Sequence, residues 1–361
     1  MAIFPRYYLY TLFKVLLACS VLFQLGACSS LKYYQQALVG QFELMNSVRS
    51  IETVLKDEDV DEDVRRRLKL IQQAREFSVY ELKLPDNESY RDYADLKRPY
   101  VMWSVFATPP YSLTPVEWCY PLAGCYHYRT YFTQTESQQF ADKLKQQGYD
   151  TYIAGVPAYS TLGWFEDPVM NTMMHWEDYD LVGTLFHELA HQQLHIKNDT
   201  TFNESFARTV EQEGLRRWMA VEQQSSQYQL YWAEVKREQA FVELILETRR
   251  QLDRLYRTKM AEEEKYINKL NAFRQLRARY FTLREQWGGI GSYDHWILSG
   301  VNNAKIQSIA TYYDYVPGFE KLLAESDHDM ERFYQRAKDL AAMGTTQRKA
   351  YLLSGSSSRS E

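Results

Sequence analysis

The chain has 361 residues, 45% hydrophobic and 25% charged, which excludes a disordered or collagen-like polypeptide. Only 15 glycines and 10 prolines argue against an all-β protein built on tight turns. Forty-two Lys+Arg against 47 Asp+Glu, a net charge of −5, argue against a nucleic-acid-binding surface, and four cysteines are too few for a disulfide-built scaffold.

Arg6 and Lys14 flank the start of a largely apolar run over residues 15–25, and Gly26 and Ala27 stand directly before Cys28. The run is short for a bilayer span and suits a secretory signal, residues 1–27. Its end resembles the lipobox of bacterial lipoproteins. That implies cleavage before Cys28, a lipid on its sulfur, and a protein anchored in the bacterial cell envelope facing the periplasm. Ser29, where Asp would retain the protein at the inner membrane, implies the outer membrane. A membrane-anchor helix with an incidental cysteine is the alternative.

Residues 28–95 read as helical, with apolar residues at helical spacing at Leu38, Phe42, Leu44, Met45 and Val48, then Leu68, Leu70 and Ile71. An acidic connection over Lys56–Asp63 separates the two groups. From 96 to 205 the texture is α+β. Strands are expected over Tyr100–Ala107, Tyr126–Phe132, Thr151–Val156 and Tyr159–Phe165, and a helix from Glu136 to Gln147 before Gly148. Export to an oxidising space favours a disulfide between Cys119 and Cys125; two free thiols, or half a zinc site with His127, are the competing readings. Residues 206–290 lack proline, with apolar positions at Leu230, Ala233, Phe241, Leu244 and Leu252, then Tyr266, Leu270, Phe273, Leu276 and Tyr280. They predict a long antiparallel helical hairpin with solvated faces of mixed charge, or an arm for a protein partner. Residues 291–350 read as a helical part completing the cleft, and 351–361 as a disordered tail. The class is helix-rich α+β with a small, mainly antiparallel sheet.

The chemistry concentrates in Leu181-Val-Gly-Thr-Leu-Phe-His187-Glu188-Leu-Ala-His191-Gln-Gln-Leu-His195. Leu181, Leu185 and Leu189 mark a helix with a buried face. His187 and His191 stand one turn apart on it, so both imidazoles can reach one zinc ion. Glu188, about 100° around the axis, can reach water beside that ion and serve as general base. Glu204, in Thr201-Phe-Asn-Glu204, can supply a third ligand and leave a fourth position open, the catalytic form of zinc coordination. Alternatively Thr201 and Glu204 form a capping box, and Asp199 is the second candidate ligand. His195 lacks the spacing and glycine of a third metzincin histidine and reads as a helix-end residue or as one that supports a ligand without touching the metal.

Cys28 with its lipobox, Cys119-Tyr-Pro-Leu-Ala-Gly-Cys125, Ala158-Tyr-Ser-Thr-Leu-Gly-Trp-Phe165, His187-Glu-Leu-Ala-His191, Asn203-Glu-Ser-Phe-Ala207 and Asn302-Asn-Ala-Lys305 together resemble the bacterial predicted-aminopeptidase lipoprotein family, over most of residues 28–345. The metal core alone is similar to the wider gluzincin class. The resemblance implies a zincin-like core holding one zinc ion per chain, with His187, His191 and Glu204 as ligands, Glu188 as catalyst, and peptides as substrates. The thirteen residues from His191 to Glu204 are a shorter interval than in the best-known gluzincins.

Gluzincins add a Tyr or His that stabilises the oxyanion, which makes Tyr312 and Tyr313 candidates and His295, beside Asp294, a lesser one. Gly163 and Trp164 lie on an expected edge strand suited to pairing with extended substrate, and Glu166 with Asp167 could meet a substrate ammonium. The reading is a zinc peptidase of aminopeptidase type. The alternative is a lipid-anchored envelope binding or assembly protein with a structural metal site.

Overall fold

The computed structural model describes residues 32–120, 124–158, 161, 166–222 and 226–355, the side chains of 221–222 and 226–228 aside. Cys28, the apolar run before it, Gly163 and Trp164 lie outside the described residues. The chain divides into one unit ending at Ser47 and a second from Val48 to Glu361. Helix α1 covers residues 32–46 of the first. Of the apolar residues at helical spacing, Leu38, Phe42 and Met45 are exposed, while Leu44 is buried. Helical spacing identifies an apolar face but not what covers it.

In the second unit, β1 (Val48–Ser50) leads through α2 (Ile51–Lys56) to α3 (Glu62–Tyr80). The acidic connection is shorter than expected. Asp61 caps α3 by accepting from Asp63 N, so Glu62 and Asp63 belong to the first turn, where carboxylates meet the positive end of the helix dipole. β2 (Asp92–Ala94) pairs antiparallel with β1.

β3 (Met102–Thr108) is buried at all seven positions and shows no alternation, because both of its faces are covered. It is the middle strand of a small antiparallel sheet. β4 (Trp118–Tyr120) and β5 (Gly124–Tyr126) form a hairpin that sets Cys119 opposite Cys125, and a disulfide joins them. The strand expected over 126–132 therefore breaks at His127, and β6 (Tyr128–Tyr131) pairs with one side of β3. α4 (Gln134–Gln146) starts at a Thr133 cap closed by Glu136 and is followed by Gly148 at φ +87°, a left-handed residue that stops the helix. β7 (Asp150–Val156) pairs with the other side of β3. β8 (Val169–Met170) joins β2 in parallel and delivers the chain to the helical half.

There α5 (Asp178–Gln193) packs against α3 and α6 (Thr200–Trp218). The close approach of α5 to α6 needs two glycines. A methyl at Gly214 would lie 2.6 Å from Phe186 Cδ2, and one at Gly183 would lie 2.8 Å from Leu215 Cδ1. Gly214→Ala is expected to destabilise the chain by about 1–3 kcal/mol through overpacking, read as a lower urea midpoint. An unchanged midpoint would contradict this contact.

The predicted hairpin is present as α7 (Ser226–Arg257) and α8 (Glu262–Gln286). Phe241, Leu244 and Leu252 face Leu276 and Tyr280 in one buried cluster, whereas Leu230, Tyr266 and Leu270 are exposed. After α9 (Asp294–Leu298) comes α10 (Asn303–Tyr313), packed on β3 and β7. Asn302 caps it and donates to Thr151 O, and the Asn303 amide donates to the carbonyls of Pro109, Pro110 and Ser112. The Asn302-Asn-Ala-Lys305 motif thus fixes α10 to the sheet. α11 (Val316–Ala324), α12 (Met330–Ala342) and α13 (Thr345–Ser354) complete the chain. α13 enters the tail expected to be disordered from 351, because Leu352 is fully buried and its backbone lies against Gly318. The class is helix-rich α+β with small, mainly antiparallel sheets. Among the described residues no helix is long and apolar enough to cross a membrane.

Candidate metal centre

Leu181, Val182, Leu185, Phe186, Leu189 and Ala190 are all essentially fully buried, which fixes the rotation of α5 and turns His187 and His191 toward α6. The start of α6 is equally determined. Its cap is Asp199, which accepts from Phe202 N and is held from α13 by Arg348, 2.8 Å away. Capping falls to Asp199, so this second candidate ligand is already committed. Thr201 lies inside the helix, and Glu204 is left to face α5. The Asn203 side chain closes the intervening loop, accepting from Ile196 N and donating to Ile196 O. Asn198 Oδ1 accepts from Cys125 N, so the disulfide hairpin clasps the same loop. Gly124, at φ +91°, is required there, since a Cβ would lie 2.8 Å from Asn198 Oδ1.

The outcome is that Glu204 Oε2 stands 3.4 Å from His187 Nε2 and 3.5 Å from His191 Nε2. One donor atom from each of the three residues falls within 4.8 Å of the others. Two ligands at zinc's bond lengths from a tetrahedral centre are about 3.3 Å apart, so the separations fit that ion. The donor set of two imidazoles and a carboxylate fits as well. The described residues also bring Glu117, Cys119 and Cys125 together, but both sulfurs are in the disulfide.

The charges agree with a cation site. Burial alone would lower the pKa of His187, yet hydrogen bonds to Glu204 and Glu211 outweigh it and lift the group to about 10. Burial works against ionisation of Glu204, but His191 and His187 hold its carboxyl down at about 2. In the metal-free chain a proton on His187 occupies the place of positive charge. The raised His187 value stabilises the metal-free fold below its unfolded pKa, and that contribution is lost as pH rises through about 10; the depressed Glu204 value stabilises it above its unfolded pKa, and that is lost as pH falls toward about 2. A zinc ion placed between these groups would have to displace the His187 proton. Apparent zinc affinity is therefore expected to strengthen about tenfold per pH unit between pH 6 and 8, measured by competition with a chelator. A flat profile would contradict the assignment of His187.

Glu188 is buried beside the histidines, with no hydrogen-bond partner among the described residues. Burial raises its pKa, against the pull of His187 and His191. Tyr312, at the end of α10, is half-buried within electrostatic reach of Glu204 and Glu188, and desolvation keeps its phenol protonated. Tyr313 points elsewhere: its hydroxyl donates to Glu238 at 2.7 Å. His195 lies just past α5, and burial together with His191 lowers it to about 4, so it is neutral near the centre. His295 belongs to α9, and its neighbour Asp294 accepts from Tyr280 and pairs with Arg284, so this pair serves the hairpin end. Glu166 is exposed, whereas Asp167 is buried, accepts from Thr161 N and Gln192 Nε2, and acts electrostatically on Glu188.

Sequence reasoning missed two groups. Glu211 Oε2 lies 3.1 Å from His187 Nδ1, the arrangement that fixes a ligating imidazole's tautomer and orientation. The signal was available: Glu204 and Glu211 are seven apart and share a face of α6. Tyr128 on β6 is a second half-buried phenol near Glu204, Glu188 and Tyr312, and nothing in a strand sequence could place it there.

A family model described as "Putative aminopeptidase" matches residues 32–352. No curated protein and no solved structure matches the chain.

Proposed function

Because the chain belongs to the family described as "Putative aminopeptidase", we propose that it is a zinc-dependent peptidase, removing residues from peptide N-termini on the periplasmic side of a bacterial envelope. The observation that carries this is the meeting of His187, His191 and Glu204, the carboxylate 3.4 and 3.5 Å from the two imidazole nitrogens, beside a buried Glu188 that has no hydrogen-bond partner among the described residues. One zinc ion, when bound, supplies a Lewis acid that acidifies water and polarises a carbonyl.

The chain's own groups do the rest. Glu188, with its pKa raised by burial, accepts a proton from water and returns it to the departing amine. Glu211 holds the Nδ1 proton of His187, leaving Nε2 as the donor atom. Tyr312, protonated, is the donor for the oxygen that gains charge as the peptide carbonyl is attacked. Of the two acidic candidates for the substrate ammonium, Asp167 is the one within reach of Glu188. Anchoring through a lipid on Cys28 would hold this site at the membrane surface.

The test is a peptide-library digest by the zinc-loaded protein, read by mass spectrometry with and without a chelator. Loss of single N-terminal residues, abolished by the chelator, supports the reading. Intact peptides with zinc bound would contradict it, and internal cuts would replace aminopeptidase by endopeptidase.

A further inference from the structure

The long hairpin reaches the candidate metal centre through a chain of charges that ends on His187 Nδ1. Glu211 offers one carboxylate oxygen to His187 Nδ1, and its other oxygen is held by Arg208 Nη1. Arg208 is a turn away on the same helix, and a lone pairing of this kind leaves both side chains free to turn together. It is held from outside. Its second terminal nitrogen, Nη2, donates to Glu238 Oε2, on the first helix of the hairpin. The guanidinium also lies over the ring of Tyr313, 5.6 Å from its centroid, and the Tyr313 hydroxyl donates to Glu238 Oε1 at 2.7 Å. Both oxygens of Glu211 and both of Glu238 are thereby engaged, and one planar fork joins them.

Resting on the metal-site reading above, we propose that Glu238 is a positioning residue for zinc: through Arg208 and Glu211 the hairpin fixes the orientation of His187. This gives the hairpin a role beyond supplying core. It also assigns Tyr313, which lies away from the reacting groups, to the support of that chain. Arg208, Glu211 and Glu238 line a cavity of about 330 Å³ walled by Tyr179, Tyr231 and Tyr293, so substitutions at Glu238 open onto existing space and need not disturb close packing.

The competing account is that Arg208 and Glu238 only staple α6 to α7. The two differ in what they do to metal. The zinc dissociation constant would be measured by chelator competition for the wild-type chain and for Glu238→Ala, Glu238→Gln, Arg208→Lys and Tyr313→Phe. Glu247→Gln, which breaks an exposed hairpin ion pair with Arg279, is the control. Loss of such outer support is expected to weaken zinc about 10–100-fold in Glu238→Ala and Arg208→Lys, less in Glu238→Gln, and not at all in the control. The visible bands of the cobalt-loaded protein should shift in the same order. Folded Glu238→Ala with wild-type zinc affinity and an unshifted cobalt spectrum would overturn the proposal. Should that variant fail to fold, Glu238→Gln and Tyr313→Phe decide by the same readouts. A wild-type chain that takes up no zinc would instead contradict the metal-site reading itself.

Discussion

Glu188→Gln is expected to lower kcat by about 10²–10⁴-fold while leaving one zinc ion per chain, since general base catalysis contributes that much and the amide cannot take a proton. The substitution preserves volume in a buried position and removes a carboxylate whose burial already disfavours its charge. The fold and the metal should therefore survive it. Zinc content by atomic spectroscopy and turnover on a peptide that the wild-type chain cleaves would check the split. Full turnover in a zinc-loaded variant would remove Glu188 from the mechanism.

The second large effect is on stability. Lys269 of α8 is buried, 2.7 Å from Asp150 Oδ2 on β7, and also donates to Pro110 O. Asp150 accepts from Asn303 N at the head of α10 as well. One lysine thus joins the hairpin, the central sheet and the helix that carries Tyr312. Lys269 is buried but Asp150 is half-buried and keeps the Asn303 N–H, so removing the lysine leaves a partly solvated charge uncompensated, and Lys269→Ala is expected to cost about 2–3 kcal/mol in urea unfolding. A loss below about 1 kcal/mol, the range of surface pairs, would mean that the hairpin is held by its apolar face alone.

What could be read in the sequence follows from the range of the interactions involved. The His187–His191 pair, Glu188 and the α5 helix are set by local spacing, and the hairpin by the absence of proline over eighty residues, so they were legible. Glu204 was legible as a candidate, but its freedom from capping depends on Asp199 starting α6, and that depends on Arg348, about 150 residues away. Tyr312 and Tyr313 are adjacent and equivalent as a pattern. Only the anchoring of α10 to the sheet by Asn302 and Asn303 decides that the first faces Glu204 and the second Glu238. The strand expected over 126–132 failed at His127 because the disulfide hairpin ends there and a separate sheet begins, a change of partner that β-propensity does not record.

The central claim is that one zinc ion is gripped by two helices of this chain. Anomalous diffraction at the zinc edge from crystals of the metal-loaded protein tests it most directly. The account predicts a single strong peak about 2.0–2.2 Å from His187 Nε2, His191 Nε2 and an oxygen of Glu204. A peak bound elsewhere, or none between these three groups, would contradict it.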